Sequence, residues 1–107
     1  MPTEPKAIRY PRIELPKGMM VAWEHFGIRK VSRVRVLALG GIFISTPTPP
    51  PEGDTIRLHF EVPGGDVRAR AIVRDSKLGK GMGVEFTAMD QAARARLNKL
   101  MRILNRA

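Results

Sequence analysis

Two arginines near the N-terminus, Arg9 and Arg12, flank Tyr10 and Pro11 and form the clearest candidate for chemistry in the chain. A guanidinium presents a planar fork of N–H donors that closes on two phosphate oxygens at once, and its face stacks on a base. Groups suited to acid, base or nucleophile work are sparse. His25 and His59 fall at strand spacing and belong to no triad or metal motif, so both read as structural or surface residues. Ser32, Ser45 and Ser76 lack the strand-turn-helix setting of a nucleophile elbow. The glycine pairs at 40 and 41 and at 64 and 65 do not join a strand to a helix, so a dinucleotide loop is not supported. With no Cys, disulfides, thiolate metal sites and thiol nucleophiles are excluded. The residue types point to binding, not to catalysis.

The charge balance agrees. Lys and Arg number 19 against 10 Asp and Glu, a formal net charge of +9, which favours anionic partners. Aromatic residues make up only 6% and most fall at core-facing positions, leaving Tyr10 as the one obvious stacking platform. A nucleic-acid interface is therefore the less favoured class of partner. No apolar run approaches the roughly 20 residues of a membrane span, and no signal segment opens the sequence, so the expectation is a cytoplasmic protein with no membrane span.

The elements that must position these residues are mostly strands. A length of 107 residues fits one domain, with residues 1–18 as an extended arm, rich in proline, and residues 19–107 as the folded body. A strand-like run covers Met20 to Phe26, and Val31 to Leu39 follows it with Val34, Val36 and Ala38 alternating against Arg33, Arg35 and Leu37. Gly40 and Gly41 mark a bulge, bend or close backbone approach before Ile42 to Thr46. After the loop of Pro47 to Gly53, Ile56, Leu58, Phe60 and Val62 point inward, as do Val67, Ala69, Ala71 and Val73 beyond the turn at Pro63 to Asp66. Met82, Val84 and Phe86 form a last short strand. The period then lengthens: Asp90 is a candidate N-cap, and Ala93, Leu97, Leu100, Met101 and Leu104 make an apolar helical stripe. Arg94, Arg96, Lys99, Arg102 and Arg106 fill the opposite face, which is expected to stay wet. The pattern predicts an all-β fold, an antiparallel barrel or sandwich of about six strands, with a C-terminal helix docked on it.

Taken in order, Arg9-Tyr10-Pro11-Arg12, the stretch Leu37 to Ile44 with its two glycines, the Glu52-Gly53 turn, and Gly81 to Phe86 ahead of a helix resemble a PilZ domain. The resemblance runs over nearly the whole chain from about Ile8. It implies a six-stranded barrel with a C-terminal helix, and a non-enzymatic, cytoplasmic bacterial signalling protein that regulates motility or biofilm formation. It also implies a ligand, cyclic di-GMP, bound through an N-terminal RxxxR arm and a [DN]xSxxG motif on the barrel, with no metal. Setting Gly41 at the final glycine of that motif puts Val36 at the acid or amide position and Ala38 at the serine position. Arg12 takes the second arginine of the arm and Ile8 the first, with Arg9 as a substitute one residue nearer. The expected ligand-binding residues are Arg9, Arg12, Val36, Ala38, Gly40 and Gly41.

These departures predict weak binding. A hydrogen bond to a charged group contributes about 1.5 to 3 kcal/mol, and about 1.4 kcal/mol is tenfold in affinity. A literal RxxxR at Arg29 and Arg33 reads as coincidence, because it lies in or beside the second strand and not ahead of the first. Where the nucleotide is lost, the resemblance implies an adaptor that binds a partner protein, as in pilus and motility members of the family. A basic barrel binding nucleic acid is the remaining alternative.

Overall fold

Alternation gives most of the strands one apolar face, and six strands close around a single core. The computed structural model describes residues 12–105. The strands are β1 (Arg12–His25), β2 (Ile28–Ala38), β3 (Gly41–Ser45), β4 (Thr55–Val62), β5 (Gly65–Lys77) and β6 (Gly81–Met89), followed by helix α1 (Gln91–Asn105). They form a closed barrel in the order β1-β2-β3-β6-β5-β4, with every neighbouring pair antiparallel. Closure leaves no edge strand to pair with another chain. The core holds Val21 and Trp23 from β1, and Leu58, Phe60, Val84 and Phe86, as their alternation predicts. The inward set of β5, Val67, Ala69, Ala71 and Val73, is buried as well.

Helix α1 begins as the sequence suggests: the Asp90 carboxylate accepts a hydrogen bond from the Ala93 backbone N–H at 2.7 Å. Ala93, Leu97 and Met101 are buried, and Leu100 and Leu104 pack against the same core. The polar face departs from expectation. Arg94 Nη1 donates to the Leu39 carbonyl at 2.9 Å, and Arg96 Nη1 donates to the Asp66 carbonyl at 2.9 Å. Part of the arginine face is thus a pair of half-buried ties between helix and barrel, because long side chains lay their stems along the apolar seam and spend their heads on backbone oxygens. Arg106 lies outside the described residues.

The strand boundaries also differ from the sequence reading. β1 starts at Arg12, well before Met20, so residues 12–18 of the expected arm belong to a strand, with Arg12, Ile13 and Glu14 paired to β2. Pro16 falls where the β1–β2 register shifts between Glu14 and Met19. A residue with no N–H to give is accommodated at such an irregularity. In β2 the simple alternation of Val34, Val36 and Ala38 fails. The register on β3 slips between Val34 and Val36, so Val34 and Leu37 are fully buried while Val36 and Ala38 are only half-buried. One bulge has moved two side chains off the core face. The β1–β2 connection is a two-residue hairpin loop, Phe26-Gly27, closed by the His25–Ile28 pair. Both loop residues have positive φ, 50° for Phe26 and 78° for Gly27, the conformation of the tight turn that matches strand twist.

Candidate functional site

The displaced Val36 and Ala38 become the floor of a cavity. Arg12 lies opposite Ala38 in the β1–β2 ladder, and the short turn after Ala38 brings Gly40 and Gly41 alongside. These five residues line one open cavity of about 600 Å³. Its far wall comes from β3, β5 and β6, with Phe43, Arg74, Asp75 and Glu85. Five of the six residues expected from the sequence are therefore brought together. The sixth, Arg9, lies with Ile8, Tyr10 and Pro11 outside the described residues.

The backbone around the glycines is tied on two sides. The Phe86 N–H donates to the Gly40 carbonyl at 2.9 Å, and Arg94 holds the Leu39 carbonyl. Gly41 pairs with Glu85 across the β3–β6 ladder. A Cβ at Gly41 would overlap the Val84 carbonyl oxygen, so β3 can approach β6 here only through glycine. That requirement belongs to the ladder and holds with or without a ligand.

Electrostatically the cavity is mixed. Arg74 Nε donates to Glu85 Oε1 at 2.6 Å, and Lys77 stands 3.7 Å from Asp75. Both pairs are exposed and contribute little to stability, yet the first fixes Arg74 on the rim. Arg12 makes no ion pair among the described residues, so its guanidinium is available to an anion. The sequence reading missed Arg74, Asp75 and Glu85. They lie across a β5–β6 ladder whose register shifts between Val73 and Asp75, and a single sequence gives no sign of that shift.

The other candidates resolve into structural roles. His25 Nε2 meets Asp54 Oδ2 at 2.8 Å and His59 Nε2 meets Asp66 Oδ2 at 3.1 Å. The Ser32 hydroxyl accepts from Trp23 Nε1 at 2.9 Å, satisfying a buried indole. Among the described residues no three His, Asp or Glu side chains converge as a metal site requires. Arg29 and Arg33 do not line the Arg12 cavity.

A family model for the PilZ domain matches residues 9–102. The chain belongs to the PilZ domain family. Solved PilZ-type structures share the fold at low identity. The Bacillus subtilis inhibitor of motility superimposes with a TM-score of 0.74 at 19% identity, covering 92% of this chain and 52% of that one. The PilZ domain of YcgR from Escherichia coli, solved with c-di-GMP, gives 0.69 at 18% identity and covers 92% of each chain. The K. pneumonia MrkH complex with c-di-GMP gives 0.73 at 15% identity, covering 92% of this chain and 51% of that one. This PilZ domain thus spans about half the length of two of these proteins and nearly all of the YcgR domain. No curated protein sequence matches it. Among the described residues no helix is long and apolar enough to cross a membrane.

Proposed function

We propose that this PilZ domain is a non-enzymatic cyclic di-GMP receptor whose ligand sits in the Arg12–Gly41 cavity and is held mainly through its phosphates. The observation that carries the reading is the convergence of Arg12, Val36, Ala38, Gly40 and Gly41 on one open cavity with Arg74 on its rim. Arg12, without an ion pair among the described residues, offers a fork for a phosphate, and Arg9 adds a second from the preceding sequence. Val36 and Ala38 offer no polar side chain to read a guanine edge. Binding is accordingly weak, sensitive to salt and poorly selective among cyclic dinucleotides. The neighbours solved with c-di-GMP support the choice of ligand, and the inhibitor of motility supports a role in motility control.

Calorimetric titration with cyclic di-GMP at low and physiological salt tests this. The expected result is weak binding that fades with salt and disappears in Arg12→Ala combined with Arg9→Ala. Tight, guanine-selective binding by the unaltered protein would sink it. A second reading rests on the apolar character of Val36 and Ala38: an adaptor that binds a partner protein without nucleotide. No heat at low salt, together with binding gained in Val36→Asp combined with Ala38→Ser, decides for the adaptor.

A further inference from the structure

A second cavity opens on another face of the barrel. About 470 Å³ in volume, it is bounded by β1, β2, β4, β5 and the end of β6, and four arginines surround it: Arg29, Arg57, Arg68 and Arg70. The ladder explains their grouping. Arg29 pairs with Glu24, Glu24 with Arg57, and Arg57 with Arg70, so one row crosses four strands. Arg68 stands two rows along, beyond the Leu58–Ala69 pair, opposite His59. None of the four makes an ion pair or hydrogen bond among the described residues, whereas Arg74, Arg94 and Arg96 all do. Arg57 and Arg70 face each other directly, an arrangement that costs stability. Two carboxylates border the cavity. Glu24 stands within the row, and Asp90 is engaged in capping α1.

The arginines continue into an apolar edge. A neighbouring cavity of about 500 Å³ shares Glu24, Arg57 and Arg70 and adds Phe26. Phe26 is 86% exposed and Ile28, across the hairpin loop, is 62% exposed. Phe26 also occupies a left-handed position that Asn, Asp or Gly normally fills. A large aromatic held in strain and in water contributes nothing to the core. Such local conflicts concentrate where a surface is used.

We propose that this face, Arg29, Arg57, Arg68 and Arg70 together with Phe26 and Ile28, is a docking surface for an acidic segment of a partner protein that also carries apolar side chains. Charge complementarity selects the carboxylates: each guanidinium fork receives one bidentately. Phe26 and Ile28 take the apolar side chains, and the pairing of aromatic and arginine anchors is that of protein interfaces. Glu24 in the middle of the row repels a continuous phosphate backbone, whereas a peptide can bring a backbone N–H or a lysine to that point. The proposal is independent of nucleotide binding at the Arg12 cavity.

The test is fluorescence anisotropy on the full chain with four probes at physiological salt. These are a short labelled peptide of alternating Glu and Leu, its Gln and Leu counterpart, a single-stranded oligonucleotide of matching charge, and vesicles containing anionic phospholipid. The Glu and Leu peptide binds tightest. Its affinity falls about tenfold or more in Arg57→Gln combined with Arg70→Gln, and it falls again in Phe26→Ser. Melting curves confirm that the variants fold, and Arg29→Gln, on a different strand, repeats the loss if the double variant does not. No binding of the peptide, equal binding of its Gln counterpart, tighter binding of the oligonucleotide or vesicles, or an affinity unmoved by the substitutions each overturns the proposal.

Discussion

The two cavities of this barrel differ in how their arginines are occupied. On the Arg12 side, Arg74 is already paired with Glu85, and the floor is the apolar pair Val36 and Ala38. On the Arg57 side, four guanidiniums crowd one opening and none is paired among the described residues. The first is the ligand site proposed above, and its floor offers little polar chemistry. The second has abundant chemistry in a place that no motif marks. Position in a fold and capacity to bind are separate properties, and here they lie on separate faces.

Substitutions can break or sharpen this contrast. The largest effect is expected from Leu97→Ala, which removes a fully buried side chain where α1 packs on the barrel core. It should cost about 2 to 5 kcal/mol, read as a clear fall in melting temperature. It should also weaken both binding activities, since α1 is tied to Leu39 near one cavity and to Asp66 on the barrel. Next comes Gly41→Ala, whose added methyl meets the Val84 carbonyl. A loss of about 1 to 3 kcal/mol is expected by thermal denaturation. A melting curve like that of the parent would remove the ladder explanation for this glycine.

Arg12→Ala separates the faces. Cyclic di-GMP affinity should drop about tenfold in calorimetry, while the Glu and Leu peptide binds as before. Equal loss of both would merge the two sites into one electrostatic field. Val36→Asp with Ala38→Ser should raise guanine selectivity at the first cavity and leave the second untouched. The smallest effect is expected from Phe26→Asn, which relieves the left-handed strain and should raise stability by about 0.5 to 1 kcal/mol while weakening the peptide. A stabilised variant that docks as well as the parent would show that Phe26 has no part in docking.

How far the sequence carried these assignments depended on distance along the chain. Leu58, Phe60, Val84 and Phe86 were legible as core because alternation within a strand is a local signal. The Asp90 cap and the apolar stripe of α1 were legible for the same reason. The bulge that turns Val36 and Ala38 off the core face was not, since it arises from the fit of β2 to β3 and not from either strand alone. Nor was the β1 start at Arg12, where proline content argued for an unpaired arm while the ladder simply shifts register around Pro16. The candidate cavity was half legible. Arg12 and Gly41 came from ordered landmarks, whereas Arg74, Asp75 and Glu85 became neighbours only through cross-strand register. The cluster of Arg29, Arg57, Arg68 and Arg70 was invisible for that reason: Arg29 on β2, Arg57 on β4, and Arg68 and Arg70 on β5 are brought together only by the ladders through β1.

The barrel closes where β1 meets β4, and among the described residues that ladder rests on Ala22, Trp23 and Glu24 against His59, Leu58 and Arg57. All six residues also border the four-arginine cavity. The shortest ladder in a closed sheet is where transient opening starts, so its amides should exchange with solvent ahead of those in the longer β4–β5 and β5–β6 ladders. An acidic segment seated across it would act as a staple, holding both strands in the closed arrangement and slowing that exchange by mass action. Partner occupancy would then be readable from the inside of the molecule, as protection at Trp23 and Leu58, without any label on the partner.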